Sequence, residues 1–277
     1  MSYLMSALLG LVQGIAEFLP ISSSGHLSII QNLFHVNTGM EGHLFFDVLL
    51  HFGTLISIFA VYWQEIIDMI YEFFRAIGEL GSRRPSRRIP PARRLVFLII
   101  VGTLPLIVIL PFKARLEELY YNTAFIGVAL IFTGILLYLA DRTGKGRKTE
   151  RSTLVVDAVL VGLAQAVAVI PGLSRSGSTI AMGRFCGLDR RFAVRFSFLL
   201  SLPAVLGANI ISLKDAVDAG IDTSYIPVYL VGVLVAAVSG YFAIRLVEHL
   251  ADRGKFGGFA YYCWAVGAIT LAFSLIF

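Results

Sequence analysis

Two short polar segments interrupt apolar stretches of this chain and hold side chains that could do chemistry. Before the first segment lie Gln13 and Glu17, four residues apart and therefore on one face of a helix. After Pro20 comes a run of hydroxyl and imidazole side chains, Ser22, Ser23, Ser24 and His26. A carboxylate within an apolar segment is expensive to bury, so we interpret Glu17 as functional. The alternative is that Glu17 has a structural role and makes buried hydrogen bonds between helices.

The second polar segment has the composition of a binding site for an oxyanion. It reads Pro171-Gly-Leu-Ser-Arg-Ser-Gly-Ser-Thr179. Its glycines let backbone N–H groups approach a ligand, its hydroxyls donate hydrogen bonds, and Arg175 supplies a planar fork that matches phosphate oxygens. The alternative is a structural kink in which Arg175 pairs with Glu17. We expect Arg175, Glu17 and His26 to share one cavity.

The elements that carry these segments are predicted to be membrane helices. Of the 277 residues, 57% are hydrophobic and 15% are charged, and the mean hydropathy is +0.80. This composition excludes a disordered chain, a disulfide scaffold and a soluble α/β enzyme, because a soluble core does not need apolar residues on every helix face. The segments close to the roughly 20 residues that cross a bilayer are 44–63, 95–112, 124–140, 192–213, 226–247 and 259–277.

The two polar segments each break a further apolar region into shorter pieces. The first region covers residues 4–19 and 27–36, and the second stops after residue 170. The regions resemble each other, since Gly10-Leu-Val-Gln13 matches Gly162-Leu-Ala-Gln165 and a Pro and a Ser follow at similar spacing. We therefore predict an internal repeat, approximately 1–145 and 150–277, within a single membrane domain over 1–277. Each half contains one broken segment and three spanning segments.

The basic residues predict how these segments cross the membrane. Three basic loops are expected in the cytoplasm by the positive-inside rule: Arg75, Arg83, Arg84, Arg87, Arg88, Arg93 and Arg94; Arg142, Lys145, Arg147, Lys148 and Arg151; and Arg245, Arg253 and Lys255. The predicted fold class is an all-α polytopic membrane protein, with six spanning helices and two re-entrant helical hairpins, about ten helical segments, arranged as an inverted-topology repeat. Most of the formal net charge of +5 thus reports topology, and nucleic acid is not an expected partner.

The motifs resemble those of a known family. Gln13-x-x-x-Glu17 followed by Phe-Leu-Pro-Ile-Ser-Ser-Ser-Gly-His26, together with the Pro171–Thr179 motif, is similar to the two motifs of the undecaprenyl-pyrophosphate phosphatases of the bacitracin-resistance type. The resemblance covers essentially the whole chain. It implies a multi-pass hydrolase of the bacterial plasma membrane that removes the terminal phosphate from an isoprenyl diphosphate, recycling the lipid carrier for cell-wall synthesis. It also implies dependence on a divalent cation, Mg²⁺ or Ca²⁺. Many relatives have Glu where this chain has Gln13, which leaves Glu17 as the carboxylate of the pair.

The resemblance and the residue chemistry together assign roles. Arg175 is expected to grip the diphosphate, and Glu17 to coordinate the cation. Ser23 is expected to be the nucleophile and His26 to assist as acid or base. The substrate-binding set is Gln13, Ser22, Ser174, Arg175, Ser176 and Thr179. Alternatives remain open, in which His26 is the nucleophile, or in which His26 or Glu17 activates a water molecule.

Other functions and residues receive less weight. A secondary transporter or flippase of an anionic lipid or small anion is the main rival, because inverted repeats with broken helices are typical of transporters. The expected partners are the isoprenyl diphosphate and membrane lipids, with a homodimer left open and a site facing the outer side. We interpret His35, His43, His51 and His249 as structural or interfacial. Tyr120 is assigned to an interfacial aromatic belt, and Asp47 is a weak candidate for supporting the site.

Overall fold

The structure is a computed structural model that describes residues 1–33, 39–79, 89–219, 223–254 and 256–276. Within these ranges the chain forms α-helices joined by turns and short 3-10 helices, with a single isolated β-bridge between Lys148 and Leu188 and no strand. Some residues with a predicted role in topology or as structural histidines lie outside the described residues. They are Arg83, Arg84, Arg87, Arg88, His35 and Lys255. The all-α fold class is confirmed.

The helices follow the predicted segments closely. In chain order they are α1 (Tyr3–Phe18), α2 (Ser23–Leu33), α3 (Gly39–Val61), α4 (Trp63–Glu79), α5 (Pro91–Thr103), α6 (Lys113–Leu119), α7 (Thr123–Asp141), α8 (Val155–Val167), α9 (Arg175–Phe185), α10 (Arg190–Ala219), α11 (Ile226–Arg253) and α12 (Gly257–Ile276). Ser2 and Asn122 cap the N-termini of α1 and α7 with side-chain hydrogen bonds, and Gly254, at φ 71°, ends α11 in the left-handed conformation.

Several helices are long and apolar enough to cross a membrane. They are Pro91–Phe112, Thr123–Asp141, Arg190–Ile211, Ile226–Arg253 and Gly257–Leu275, with a sixth candidate in Phe45–Val61 and Trp63–Glu79, a pair bent by 88°. These positions match the six segments predicted as spans, so the polytopic membrane fold is confirmed. The side on which each loop lies, and the re-entrant character of the broken segments, stay predictions.

The region between residues 63 and 95 differs from the expected loop, because α4 occupies its first part. Ile67, Ile70 and Phe74 are exposed on this helix, whereas Glu72 is buried and pairs with Arg93 of α5. A helix with one apolar face and one charged face, turned sharply from its neighbour, suits the membrane interface. The arginines that follow favour a basic loop, so the sequence did not predict this amphipathic helix.

The predicted span 95–112 is also not a uniform helix. It is α-helical as far as Thr103 and continues as 3-10 helix over Leu104–Val108 and Leu110–Phe112. Pro105 and Pro111 explain the change, since a proline removes a backbone N–H and clashes with the preceding turn of an α-helix. This irregular segment matters because it forms one wall of the cavity described below.

Glycines in the two halves make equivalent helix contacts. Helix α1 packs on α11, and α8 packs on α5. A Cβ added to Gly10 would collide with the carbonyl oxygen of Gly232, and a Cβ added to Gly162 would collide with that of Gly102. Gly10 and Gly162 are the residues that the sequence repeat aligns, so both halves bring two backbones into direct contact at the same position.

Candidate functional site

The two broken segments meet at a cavity of about 520 Å³. Helix α1 ends at Phe18 and α2 begins at Ser23, while α8 ends at Val167 and α9 begins at Arg175. The cavity has one polar region, lined by Glu17, Ser23, Ser24, His51, Gln165, Ser174 and Arg175. The rest of its lining is mostly apolar and includes Leu106, Ile107, Leu110, Val205, Ala208 and Ile211. Its shape and chemistry therefore suit a ligand with a charged head and an apolar body.

Glu17 is the centre of the polar region. Its Oε1 accepts a hydrogen bond from Nη2 of Arg175 at 2.5 Å. Its Oε2 accepts from the Ser23 hydroxyl at 2.6 Å and from Nε2 of Gln13 at 3.0 Å. Nε2 of His51 lies 3.5 Å from the same oxygen. The carboxylate thus joins the first broken segment to the second and lies against both a hydroxyl and a guanidinium.

The backbone at the first break explains how Ser23 reaches Glu17. Pro20 follows the end of α1, and Ser22 adopts a φ of 71°, in the left-handed region that residues with a Cβ rarely occupy. This conformation turns the chain so that Ser23 becomes the first residue of α2. Uncommon backbone conformations of this kind are found preferentially at functional sites. The Ser22 hydroxyl is occupied locally, because it accepts a hydrogen bond from the backbone N–H of Gly25.

The second break is held in place by its own hydroxyl groups. The Ser174 side chain caps α9 by accepting from the Gly177 N–H. The Ser176 hydroxyl donates to the Leu19 carbonyl of the first break. The Thr179 hydroxyl donates to the Arg175 carbonyl and is also 2.6 Å from the Ser197 hydroxyl.

The predicted phosphate-binding hydroxyls therefore act differently in the structure. Ser174 lines the cavity beside Arg175, whereas Ser176 and Thr179 are absent from its lining. Hydroxyls within a first helical turn readily bond to nearby carbonyls, which is the competition that the sequence pattern did not reveal. Direct substrate contact by Ser176 and Thr179 stays a prediction, and in this structure both tie the break to its surroundings.

His26 does not join the Glu17 cluster. Its Nδ1 donates to the Ser22 carbonyl at 2.7 Å, and its Nε2 is 2.8 Å from the Tyr262 hydroxyl, with the two rings stacked. His26 is also absent from the cavity lining. The expectation that His26 would share the Glu17 cavity is not met, because Tyr262 of α12 holds the ring. Its role as acid or base stays a prediction.

His51 takes the place beside Glu17 and was missed at the level of sequence. Its Nδ1 donates to the Asp47 carbonyl at 2.7 Å, which directs Nε2 towards Glu17. The sequence feature that could have indicated this role is the spacing of Asp47 and His51, which are four residues apart on a strongly apolar helix.

Asp47 belongs to a buried polar cluster next to the cavity. It accepts hydrogen bonds from the Tyr120 hydroxyl at 2.6 Å and from Nε2 of Gln31 at 2.8 Å. Tyr120 also donates to the Gln31 side-chain oxygen and contributes to the cavity lining. Tyr120 is therefore buried, and its assignment to an interfacial belt was wrong. Asp47 contacts two residues of the cavity lining, Tyr120 through its carboxylate and His51 through its backbone carbonyl, and its supporting role stays a prediction.

The site offers few ligands for a divalent cation. In the described part of the chain, His, Cys, Asp and Glu side chains form no group of three or more that could hold a metal ion. One carboxylate is nevertheless enough where substrate phosphates complete the coordination, as is usual for Mg²⁺. The buried side-chain oxygen of Gln13 has no hydrogen-bond partner within the described ranges. The carboxylate of Glu17 and this oxygen are ligand types that suit such a cation, and its binding stays a prediction.

Comparison with known proteins gives concordant matches. Residues 6–269 match the family described as "Bacitracin resistance protein BacA". The chain is 41% identical over 279 residues to a protein of Methanosphaera stadtmanae, covering 99% of this chain and 98% of that protein. It is also 41% identical over 277 residues to one from Alkaliphilus metalliredigens, covering 100% of both, and 39% identical over 270 residues to one from Halothermothrix orenii, covering 97% of both. All three carry the name "Undecaprenyl-diphosphatase".

Proposed function

Because the chain belongs to the bacitracin resistance protein BacA family, we propose that it is a membrane phosphatase of undecaprenyl diphosphate. It hydrolyses this lipid to undecaprenyl phosphate and inorganic phosphate, which recycles the carrier for cell-wall synthesis. The observation that carries the proposal is the single cavity in which Ser23, Glu17 and Arg175 adjoin an apolar wall. An isoprenyl diphosphate has a charged diphosphate that matches the polar residues and an apolar chain that matches the apolar wall.

The geometry supports Ser23 as the nucleophile. Its hydroxyl donates to Glu17 at 2.6 Å, so the carboxylate is positioned to accept the proton as the oxygen attacks. The new bond joins the Ser23 oxygen to the terminal phosphorus, and the bond to the bridging oxygen breaks. The lipid monophosphate leaves. Water then attacks the phosphoserine, the Ser23 oxygen–phosphorus bond breaks, Glu17 returns the proton to Ser23, and the water protons leave with inorganic phosphate.

Arg175 and the two helix N-termini supply positive charge. Phosphoryl transfer depends mainly on positioning and on charge neutralisation. Arg175 uses Nη2 to bind Glu17, and a guanidinium has five N–H donors, so it can bind the diphosphate and Glu17 together. Helices α2 and α9 begin at Ser23 and Arg175, which directs the positive ends of both helix dipoles to the anion.

A divalent cation, Mg²⁺ or Ca²⁺, is proposed to complete the site. Glu17 and the side-chain oxygen of Gln13 would hold it together with oxygens of the substrate. When bound, it would neutralise part of the diphosphate charge. Catalysis by His26 would require its ring to exchange the Tyr262 hydroxyl for a substrate oxygen.

Phosphate release from undecaprenyl diphosphate by the purified protein in detergent micelles tests the proposed function. Micelles have no sealed compartments, so hydrolysis proceeds there whereas transport produces no signal. Release of inorganic phosphate at a stoichiometry of one per lipid, with Mg²⁺ or Ca²⁺ present, is expected. Its absence in protein that still binds the lipid would favour the transporter or flippase.

The plasma membrane, with the cavity open to its outer side, is the proposed location. The basic 142–151 loop is expected in the cytoplasm and the 113–122 region outside. After replacement of Cys186 and Cys263 by serine, Glu118→Cys and Lys145→Cys place single thiols at exposed positions in these two regions. In intact cells an impermeant thiol reagent should label the first and not the second. The reverse pattern would contradict the orientation.

A further inference from the structure

Gln165 is a buried amide that lines the cavity and has no partner in the part of the chain that the structure describes. Its exposed fraction is 1%, and it lies in the cavity lining with Arg175 and Ser174. Among the described residues, neither its Nε2 nor its Oε1 has a hydrogen-bond partner. Buried side-chain polar groups are almost always hydrogen-bonded, since leaving them unpaired is destabilising. An amide left in this state beside a cavity indicates that its partner is a ligand.

The internal repeat shows why this glutamine differs from its counterpart. Gln165 aligns with Gln13, whose Nε2 donates to Glu17 four residues later. Four residues after Gln165 the chain has Val169, which lines the same cavity. The first half thus uses its glutamine to hold the carboxylate, whereas the glutamine of the second half lines the cavity and makes no such bond.

We propose that Gln165 binds the diphosphate group, with its Nε2 donating to a phosphate oxygen. This inference rests on the proposed function and adds a substrate-binding residue to it. Arg175 then holds the anion from one side and the neutral amide adds a donor from another element, α8. An amide fits this task because it donates to an anion without forming an ion pair with Glu17. The bound diphosphate satisfies an amide that is otherwise buried unpaired.

Two substitutions separate binding from folding. Gln165→Leu removes the donor and keeps similar bulk, so the melting temperature should be unchanged or higher, because an unpaired polar group is replaced by an apolar one. Affinity for the diphosphate should fall about 10- to 100-fold, the range for hydrogen bonds to charged groups. Gln165→Glu keeps the shape but adds a negative charge, so it should bind the diphosphate still more weakly.

Asn32→Leu is the matched control, because the Asn32 amide donates to the hydroxyls of Ser28 and Thr123 and Asn32 does not line the cavity. This variant should bind within about twofold of the wild type. The probe is an isoprenyl diphosphonate with a methylene bridge, which cannot be hydrolysed, and binding is measured by calorimetry in micelles. Wild-type affinity in Gln165→Leu or in Gln165→Glu would overturn the proposal.

Hydrolysis of undecaprenyl diphosphate is measured on the same proteins. If the wild type binds the diphosphonate and the Gln165 variants do not, Gln165 is a binding residue whatever the hydrolysis result. If the wild type releases no phosphate, the proposed function fails separately. A loss of melting temperature in Gln165→Leu, together with unchanged affinity in Gln165→Glu, would assign the residue a structural role and contradict the inference.

Discussion

Replacing Glu17 by glutamine tests the centre of the site with the smallest change of shape. The carboxylate accepts from Arg175 on one oxygen and from Ser23 and Gln13 on the other. A glutamine has one acceptor oxygen and one NH₂ group. If the oxygen faces Arg175, the NH₂ meets the Gln13 NH₂. If it is reversed, the NH₂ meets the guanidinium. In either orientation, an N–H donor of the new glutamine faces an N–H donor of a neighbouring side chain.

The expected loss of activity exceeds the expected loss of stability. Breaking a fully buried ion pair costs about 3–5 kcal/mol, but the Arg175 side chain is 21% exposed to the cavity, so we expect about 1–3 kcal/mol here. Activity loses a general base, which typically contributes about 10²- to 10⁴-fold. The folded protein should therefore be only moderately less stable and almost inactive.

Phosphate release in micelles gives kcat/KM for Glu17→Gln, and thermal unfolding of the same sample reports its stability. Glu248→Gln is the matched control, because that carboxylate accepts from the Tyr62 hydroxyl and from Arg245 and does not line the cavity. It should retain activity within about twofold, since exposed pairs contribute little. A folded Glu17→Gln protein with more than a tenth of wild-type kcat/KM would refute the role of Glu17 as the base.

Three further outcomes are expected. Ser23→Ala should lower kcat by at least about 10²-fold and abolish any phosphoenzyme trapped by rapid acid quench, and an unchanged phosphoenzyme would exclude Ser23. His51→Asn should lower kcat/KM about three- to tenfold, because the imidazole ring that lies 3.5 Å from Glu17 is lost, and an unchanged value would show that His51 does not support Glu17. Gly162→Leu should destabilise the α8–α5 contact by more than about 2 kcal/mol in thermal unfolding, since its side chain would meet the Gly102 backbone, whereas Gly144→Leu, with open space around it, should not.

The elements with local signals were predictable from sequence. Pro20 and Pro171 mark the two breaks because proline ends a helix wherever it falls. The spans could be placed because a run of apolar residues long enough to cross a bilayer has few other uses. Helix α4 was missed because its apolar residues alternate with charges and resemble a loop near many arginines. The pattern needed was helical periodicity within the first part of that region.

The side-chain partners in the site were less predictable, because they depend on contacts between distant elements. The sequence placed Glu17, Ser23 and Arg175 in one site, and the structure brings them together. It could not show that Tyr262 of α12 would hold His26, or that α3 would bring His51 to Glu17. His26 lies on the short helix α2 and His51 on the apolar helix α3. Only the packing of other helices decides which ring faces the carboxylate.

The internal repeat that the sequence predicts carries two unlike half-sites. The equivalent contacts of Gly10 with Gly232 and of Gly162 with Gly102 hold both broken segments against long helices in the same way. On this common frame, the first half has Glu17 where the second has Val169, and the second has Arg175 directly after its serine where the first has Ser24. One half therefore contributes the carboxylate and its bonded hydroxyl, and the other contributes the guanidinium. Among the described residues that line the cavity, Glu17 comes from one half and Arg175 from the other, so the proton acceptor and the guanidinium meet only where the halves are in contact.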